Sequence, residues 1–351
     1  MATTLTTTAP AASTLAGGSL PRWATPVLLT VSVAAALALN VTTGLAGWFG
    51  TTIVAGLIML IVQSAWSFRV EGRRHAVDRL ATTLVYSTFI AAIVPLVSVI
   101  WTVLSKGLAV MNWEFLTRSM RNISPRAEGG GLGHAIVGTL EQVGIAAAFA
   151  VPIGILAAIY LVEYGGGGLK RWISFFVDVM TGIPSIVAGL FIFTAFVLGL
   201  GLERSGLAAA LSLAILMLPV VIRTTEEMLK IVPNDLREAS YALGVPKWRT
   251  ILRVVLPTAL AGIVTGAMLA VARVAGETAP LLLTTFLTQS YNYNAFKGPQ
   301  ASLPLFVWDQ ITSGTPASVA RAWGGALVLI TIVMFFYIIA KLLAARFAPK
   351  G

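Results

Sequence analysis

Cysteine is absent from the 351-residue chain, and histidine occurs only twice, as His75 and His134. Without cysteine there are no disulfides, no Cys-ligated zinc and no thiol catalysis. Two histidines far apart in the sequence are too few for a metal cluster. Charged residues are also scarce: they make up 11% of the chain, less than half of the roughly 25% that is usual in soluble domains.

What the chain has in excess is apolar residues. Hydrophobic residues make up 57% of it, and its mean hydropathy is +0.87. No soluble fold of this length can bury so much apolar surface. The sequence therefore predicts an integral membrane protein and excludes a mostly soluble enzyme. The net charge of +10 fits either a nucleic-acid partner or basic cytoplasmic loops.

Long continuous apolar runs predict membrane-spanning helices, each of about 20 residues. The alternation expected of a β-barrel is not visible, so the predicted fold class is an all-α polytopic membrane protein. We predict eight spans, at about 25–47, 50–68, 81–105, 134–162, 172–200, 206–224, 257–287 and 322–345.

The distribution of positive charge predicts the orientation of these spans. With the N-terminus inside, most of the 24 Lys and Arg residues fall in inner segments, as the positive-inside rule requires. We therefore expect both termini in the cytoplasm and residues 1–24 as a disordered cytoplasmic tail. The cluster of Arg69, Arg73, Arg74 and Arg79 is interpreted as a lipid-headgroup anchor, and no nucleic-acid partner is expected.

One inner loop, residues 225–256, is long enough to hold its own structure. It predicts a helix, a turn at Gly244 and a second helix from about Trp248, after which Pro257 opens the next span. Asp235 followed by Glu238 resembles a capping box at the start of the first helix. Apolar residues in such a hairpin suit docking into a partner; the alternative is packing against the chain's own bundle.

The same loop resembles the EAA signature of ABC-importer permeases. Glu238-Ala239-Ser240 is followed after three residues by Gly244, and after nine more by VVLP (254–257). In that family the hairpin docks onto a cytoplasmic ATPase. The resemblance implies that residues 233–252 are coupling helices, with contacts from Glu238, Ala239, Ser240, Leu243, Gly244 and Trp248.

Longer stretches resemble permease subunits of bacterial phosphate ABC importers. They are EGGGLGHAIVGTL (128–140), IPSIVAGLF (183–191), PVVIRTTEEMLKIVPNDLREASYALGVPKW (219–248) and AVARVAGETAPLLLT (270–284). The resemblance covers about 75–348, implies a core of about six spans, and leaves 25–70 as an extra N-terminal hairpin without an assigned role.

This resemblance also implies an assembly in the bacterial cytoplasmic membrane. A sister permease, an ATPase dimer and an extracytoplasmic phosphate-binding protein are the implied partners, besides the lipid bilayer. The chain contains no phosphate-cradling G-x-x-x-x-G-K-[ST] loop. It is therefore expected to be non-catalytic and without a cofactor of its own, with ATP and Mg²⁺ on the partner ATPase.

An anion in the membrane needs positive charge, and two arginines lie at or within predicted spans. Arg223 ends the sixth span and Arg273 lies inside the seventh. A charged residue there is costly, which makes both candidates for the substrate path. Glu277 follows Arg273 at i+4 and Glu226 follows Arg223 at i+3. These acids either form permanent ion pairs or, at Arg273, give way to phosphate; Arg223 is alternatively an interfacial anchor.

Gly and Pro predict two helix breaks beside these arginines. One is expected at 276–280, where Thr278 supplies a hydroxyl, and the other at 182–185, where Pro184 precedes Ser185. A half-helix beginning at Ser185 would present free N–H groups to an anion. An ordinary proline kink in a packed helix is the alternative.

The sequence leaves three other functions as alternatives. A permease for sulfate, molybdate or phosphonate would share the EAA hairpin. A membrane enzyme acting on phosphate esters lacks a plausible nucleophile–base pair. A sensor or scaffold subunit would have little use for arginines inside the membrane.

Overall fold

The computed structural model describes residues 20, 21, 23–44 and 47–347. The predicted tail 1–24 lies almost wholly outside these residues, as do positions 45 and 46 of the predicted first hairpin turn. Throughout the described ranges every regular element is a helix, so the predicted all-α class is confirmed.

Fourteen α-helices lie in the described part of the chain. They are α1 (Ala24–Thr43), α2 (Trp48–Val70), α3 (Arg73–Leu108), α4 (Trp113–Thr117), α5 (Gly133–Ile159), α6 (Gly167–Thr181), α7 (Ser185–Ile192), α8 (Gly206–Ile231), α9 (Asn234–Ala242), α10 (Lys247–Thr250), α11 (Leu256–Ala275), α12 (Ala279–Thr284), α13 (Leu303–Thr312) and α14 (Pro316–Phe347). Wider π-helical turns extend α5 and α7 and join α10 to α11, at Tyr160–Tyr164, Phe193–Leu198 and Ile251–Val255.

Seven helical segments of the described chain are long and apolar enough to cross a membrane. The remaining predicted span, 172–200, is instead two helices: 167–181 and 185–198 meet at an angle of 109°. The break falls at Gly182–Pro184, as the sequence predicts, because Pro184 cannot continue the first helix. Counting this pair as one broken span gives up to eight crossings.

The chain divides into two compact units, Met1–Thr102 and Val103–Gly351. In the first, the carboxylate of Glu71 lies between α2 and α3 with a side chain only 5% exposed. It accepts hydrogen bonds from the backbone N–H of Leu20 at 2.6 Å, from Ser67 Oγ at 2.7 Å, and from Arg79 Nε and Nη2 at 2.6 and 2.8 Å. The hydrogen bonds from Arg79 lower the pKa of Glu71 to about 2. One buried acid therefore ties the start of the described chain to both helices.

In the second unit the core is built around α8, which packs against α5, α7 and α11. Small residues at the contacts allow these helices to lie close together. Ala146 and Ala209 are fully buried, as is the larger Met217. Gly154 of α5 lies directly against Val221 of α8, where an added Cβ would approach Val221 Cγ1 to 2.7 Å. Close approach through small residues is the usual way in which membrane helices associate.

Two local predictions for the long loop are wrong. The capping box does not form: α9 begins at Asn234 after Pro233, and no side chain caps it, so Asp235 lies inside the first turn. The predicted separation of the hairpin from the next span does not occur either: Pro257 lies in the first turn of α11, but the helix is continuous from Lys247 to Ala275. The π-helical turn at Ile251–Val255 precedes the proline, and such turns re-satisfy the backbone groups that a proline frees.

The Glu71 cluster generates a prediction about pH. A carboxylate whose folded pKa is depressed stabilises the fold above its unfolded pKa, here 4.5, and loses that contribution as the pH falls towards about 2. We expect Glu71→Gln to speed amide exchange at the α2–α3 turn by about tenfold at pH 7, because charge-assisted hydrogen bonds are lost. Hydrogen–deuterium exchange measures this. Asp78→Asn, an exposed acid on α3, is the control, and equal exchange in the two variants would contradict the prediction.

Candidate functional site

The depth of Arg273 follows from the packing of α8 against α11. A Cβ on Gly266 would lie 2.6 Å from Thr224 Oγ1, and one on Gly262 would lie 2.2 Å from the sulfur of Met228. These two contacts fix an antiparallel register. Two further turns along α11, about 10 Å, bring Arg273 level with Met217. Met217 is close to the midpoint of the 26-residue helix α8, so Arg273 lies at the middle depth of this span.

The Arg273 side chain is exposed at this depth. Among the described residues it forms no ion pair, so the pair with Glu277 that the i+4 spacing suggests is not present. The reason is local: α11 ends at Ala275, Gly276 caps it, and Glu277 lies beyond the last turn. A spacing of four residues brings side chains together only where the helix continues. Arg273 therefore keeps its charge and its five donors available.

The two predicted helix breaks are brought together. Gly189 of α7 packs against Pro280 of α12, where an added Cβ would lie 2.5 Å from Pro280 Cα. Arg204, just before α8, lies over the ring of Phe193 that follows α7 and that of Phe286 that follows α12, at 4.7 and 3.9 Å. The two short helices therefore run side by side in the same direction. Their first residues, and with them both breaks, lie at the same end.

This end is rich in hydrogen-bonding groups. Ser185, Glu277 and Thr278 are all partly buried. Helix α7 begins after Pro184 with no side chain capping it, so its first backbone N–H groups have no side-chain acceptor. The N-terminus of a helix carries a partial positive charge. An oxyanion would find suitable donors here in the hydroxyls, the free N–H groups and the Arg273 guanidinium. The Glu277 carboxylate can accept a hydrogen bond from an O–H of that anion.

Arg223 has a different environment. It lies six residues further along α8 than the level of Arg273, about 9 Å. Its guanidinium donates to Glu226 Oε2 at 2.6 Å and to the carboxylate of Asp178 on α6, as well as to the carbonyl oxygen of Ser174 at 3.3 Å. Glu226 is buried and also accepts from Lys230 Nζ at 2.7 Å. The structure thus confirms the i+3 contact between Arg223 and Glu226. Arg223 ties α6 to α8 in an ion network.

The hairpin predicted for the long loop forms, with the predicted turn. Gly244 has φ +76°, a left-handed conformation that favours glycine, and Pro246 precedes α10. Inside the hairpin, Ser240 Oγ and Thr250 Oγ1 share a buried hydrogen bond of 2.8 Å. Ser240 is therefore an internal support that holds α9 against α10.

The other candidate contact residues of the hairpin are exposed at its surface. Leu243 is 83% exposed and Trp248 54%, and Glu238, Ala239 and Gly244 are exposed as well. Packing against the chain's own bundle, the alternative considered above, does not occur at these side chains. The hairpin instead presents an apolar tip.

Sequence reasoning missed the residue that attaches this hairpin to the bundle. Arg237 of α9 donates to Glu163 Oε1 from Nε at 3.0 Å and from Nη2 at 2.8 Å, and to the carbonyl oxygens of Val232 and Leu229. Both charged side chains are nearly buried. Glu163 ends the extended α5, so a displacement of α9 acts directly on that span. The sequence does contain a signal for this contact, since Glu163 is a lone acid directly after an apolar run.

A second missed residue organises the opposite side of the unit. Arg321 is 4% exposed and donates to Gln310 Oε1 at 2.8 Å and to the carbonyl oxygens of Ala127 and Pro125 at 2.7 and 2.9 Å. A buried charge is tolerated when its donors are satisfied. Arg321 therefore holds the loop before α5 onto α14.

Comparisons with known proteins agree with this architecture. A family model described as "Binding-protein-dependent transport system inner membrane component" matches residues 150–349. The chain is 49% identical over 262 residues to the phosphate transport system permease protein PstA 1 of Mycobacterium tuberculosis, which covers 74% of this chain and 86% of the relative. It is 38% identical over 277 residues to PstA of Yersinia pestis, covering 78% and 92%.

The fold recurs in a solved transporter. The methionine ABC transporter MetNI, in an inward-facing conformation, aligns with a TM-score of 0.52 and 21% identity over 62% of this chain and 96% of that one. At that identity the likeness concerns the fold alone. The family match over residues 150–349 and the relatives at 49% and 38% identity show the family. The chain belongs to the family of binding-protein-dependent transport system inner membrane components.

Proposed function

We propose that this chain is a permease subunit of an ATP-driven phosphate importer. Its relatives at 49% and 38% identity are phosphate transport permeases. The observation that carries the proposal within the chain is Arg273. It is an arginine at the middle depth of a spanning bundle, without an acidic partner among the described residues, next to two helix breaks.

The chemistry of this end favours phosphate over a fully ionised oxyanion. The planar guanidinium of Arg273 matches two phosphate oxygens at once. The hydroxyls of Ser185 and Thr278 and the first N–H groups of α7 donate to the others. Glu277 accepts a hydrogen bond from the proton that phosphate keeps at neutral pH. Sulfate has no such proton, so its oxygen would meet the Glu277 carboxylate as a like charge.

The energy for transport comes from a partner in this proposal. Separate ATPase subunits bind ATP and Mg²⁺ and contact the hairpin of α9 and α10 through Glu238, Ala239, Leu243, Gly244 and Trp248. A sister permease completes the path, and a phosphate-binding protein delivers the substrate from outside. The chain lies in the bacterial cytoplasmic membrane with both termini in the cytoplasm.

Coupling follows the connections already described. Movement of α9 is transmitted through Arg237 to Glu163 at the end of the extended α5, and through the continuous helix 247–275 to Arg273 itself. Residues 247–252 and the last turn of α11 thus lie on one continuous helix, and α9 is held against its start by the Ser240–Thr250 hydrogen bond. A displacement at the ATPase end therefore reorients Arg273 in the path, which is the requirement of alternating access.

Substrate competition tests the proposed function. The assembled transporter in proteoliposomes is expected to take up labelled phosphate when ATP and the binding protein are present. Excess unlabelled phosphate or arsenate should suppress the signal because both keep a proton at neutral pH, and excess sulfate should not. Uptake that sulfate suppresses as strongly as phosphate does would instead assign the chain to another oxyanion.

Replacing Arg273 tests the path. Arg273→Gln removes the charge while keeping a hydrogen-bonding side chain, and we expect phosphate uptake to fall about 10- to 100-fold, the range for a lost charge-assisted hydrogen bond. Assembly with the ATPase should be unchanged. Arg171→Gln, an exposed arginine on α6, is the control. Undiminished uptake in the Arg273 variant would remove this residue from the path.

Replacing the hairpin tip tests the coupling surface. Leu243→Asp adds a charge to an apolar side chain that is already exposed, so the fold of the hairpin should survive. Association with the ATPase, measured by co-purification, is expected to weaken about 30-fold, as at an interface hot spot. Leu202→Asp, on the exposed loop before α8, should leave association intact. If both variants co-purify equally, the tip is not the contact.

A further inference from the structure

The two short helices that begin at the breaks have an arginine at their other end as well. The guanidinium carbon of Arg204 lies 4.7 Å from the ring centre of Phe193, which follows α7, and 3.9 Å from that of Phe286, which follows α12. From Ser185 to Phe193 the helix advances about 12 Å, which is the distance along α7 between the breaks and Arg204. The pair α7 and α12 therefore has Arg273 beside one end and Arg204 beside the other.

The side chain of Arg204 is held in position but has no polar partner. Its cation–π contacts with the two rings use none of its five N–H donors. The backbone N–H of Ser205 donates to the carbonyl oxygen of Thr284 at 3.2 Å and so fixes the start of α8 against the end of α12. Among the described residues the Arg204 guanidinium forms no ion pair and donates no hydrogen bond. It is partly exposed, so a ligand can reach donors that are already oriented.

The segments around Arg204 carry little negative charge. Residues 179–225 include a single acid, Glu203, which is exposed and forms no ion pair among the described residues, and residues 278–308 include none. The 26-residue helix α8 begins at Gly206, and the N-terminus of a helix carries a partial positive charge. The positive charge at this position is thus largely uncompensated by the chain itself, which makes it a favourable place for an anion.

We propose that Arg204 is a second oxyanion site, which rests on the proposed function and holds phosphate before it reaches Arg273. The hairpin follows the opposite end of α8, so Arg204 lies at the outer end of the bundle in the proposed orientation. A planar guanidinium donates to two phosphate oxygens at once. An anion that leaves water needs compensating charge along its way, and the two arginines supply it at both ends of α7 and α12. A lipid headgroup phosphate has the same chemistry and is the competing source of the anion.

Arginine modification by phenylglyoxal, located by mass spectrometry, tests the site. The sample is the assembled transporter in a maltoside detergent without ATP. Inorganic phosphate at about ten times its Kd should slow the modification of Arg204 about tenfold, because only the unoccupied guanidinium reacts. Sodium chloride of equal ionic strength should not, and Arg126, an exposed arginine of the loop before α5, should react at the same rate throughout. Absence of protection by phosphate, or equal protection by chloride, would overturn the proposal.

Two further measurements separate the source of the anion and the proposed function. Phosphatidylglycerol without inorganic phosphate should protect Arg204 less than phosphate does, and equal protection would assign the site to a lipid headgroup instead. Uptake of labelled phosphate by the same preparation in proteoliposomes reports the proposed function separately. Phosphate uptake with an unprotected Arg204 would refute the outer site alone. Protection of Arg204 without phosphate uptake would support the anion site and refute the importer.

A variant separates anion binding from a purely structural role. Arg204→Met keeps a long side chain that can pack on both rings but removes the charge and the donors. If Arg204 only joined the ends of α7 and α12, uptake at saturating loaded binding protein would persist; we expect it to fall about tenfold, with Arg126→Met as the unaffected control. Glu203→Gln removes the neighbouring like charge and should lower the phosphate concentration that half-protects Arg204. Undiminished uptake in the Arg204 variant would refute the site, and the modification rates of the unsubstituted chain decide the matter if that variant does not assemble.

Discussion

The close contact between Gly189 and Pro280 is the constraint on which the candidate site depends. At membrane depth a broken helix leaves backbone groups that only protein or a water-filled cavity can satisfy. Here two breaks are placed side by side, because Gly189 has no Cβ and so admits the backbone of Pro280. The contact aligns α7 with α12, and Arg204 fixes their far ends through its stacking on Phe193 and Phe286. Any larger residue at position 189 would separate the two breaks.

The parts of the fold that could be predicted are those set by local chemistry. Gly and Pro locate both breaks and the turn at Gly244, since backbone freedom and the missing N–H act within a few residues. Apolar runs of sufficient length locate the spans. The angle of 109° between 167–181 and 185–198 was not predictable, because the residues at a break indicate where a helix ends and not the direction of the next helix.

The parts that could not be predicted depend on residues far apart in the chain. Spacing alone proposes the pairs Arg273–Glu277 and Arg223–Glu226, and only the second forms. The difference lies in whether the helix continues through the pair: α8 extends to Ile231, whereas α11 stops at Ala275. The contacts of Arg237 with Glu163 and of Arg223 with Asp178 join residues more than 40 positions apart. No periodic spacing in the sequence indicates these two contacts.

The two arginines Arg223 and Arg273 show how a membrane bundle uses one residue type in two ways. Arg223 is compensated by Glu226 and Asp178 and so contributes a fixed link between α6 and α8. Arg273 has no such compensation among the described residues, and an uncompensated charge inside a bundle is costly unless water or a counter-ion reaches it. A bound anion removes that cost. In the proposed function, the affinity of the path for an anion thus arises because no acid pairs with Arg273 on the last turn of α11, and the helix end at Ala275 is the reason why Glu277 does not.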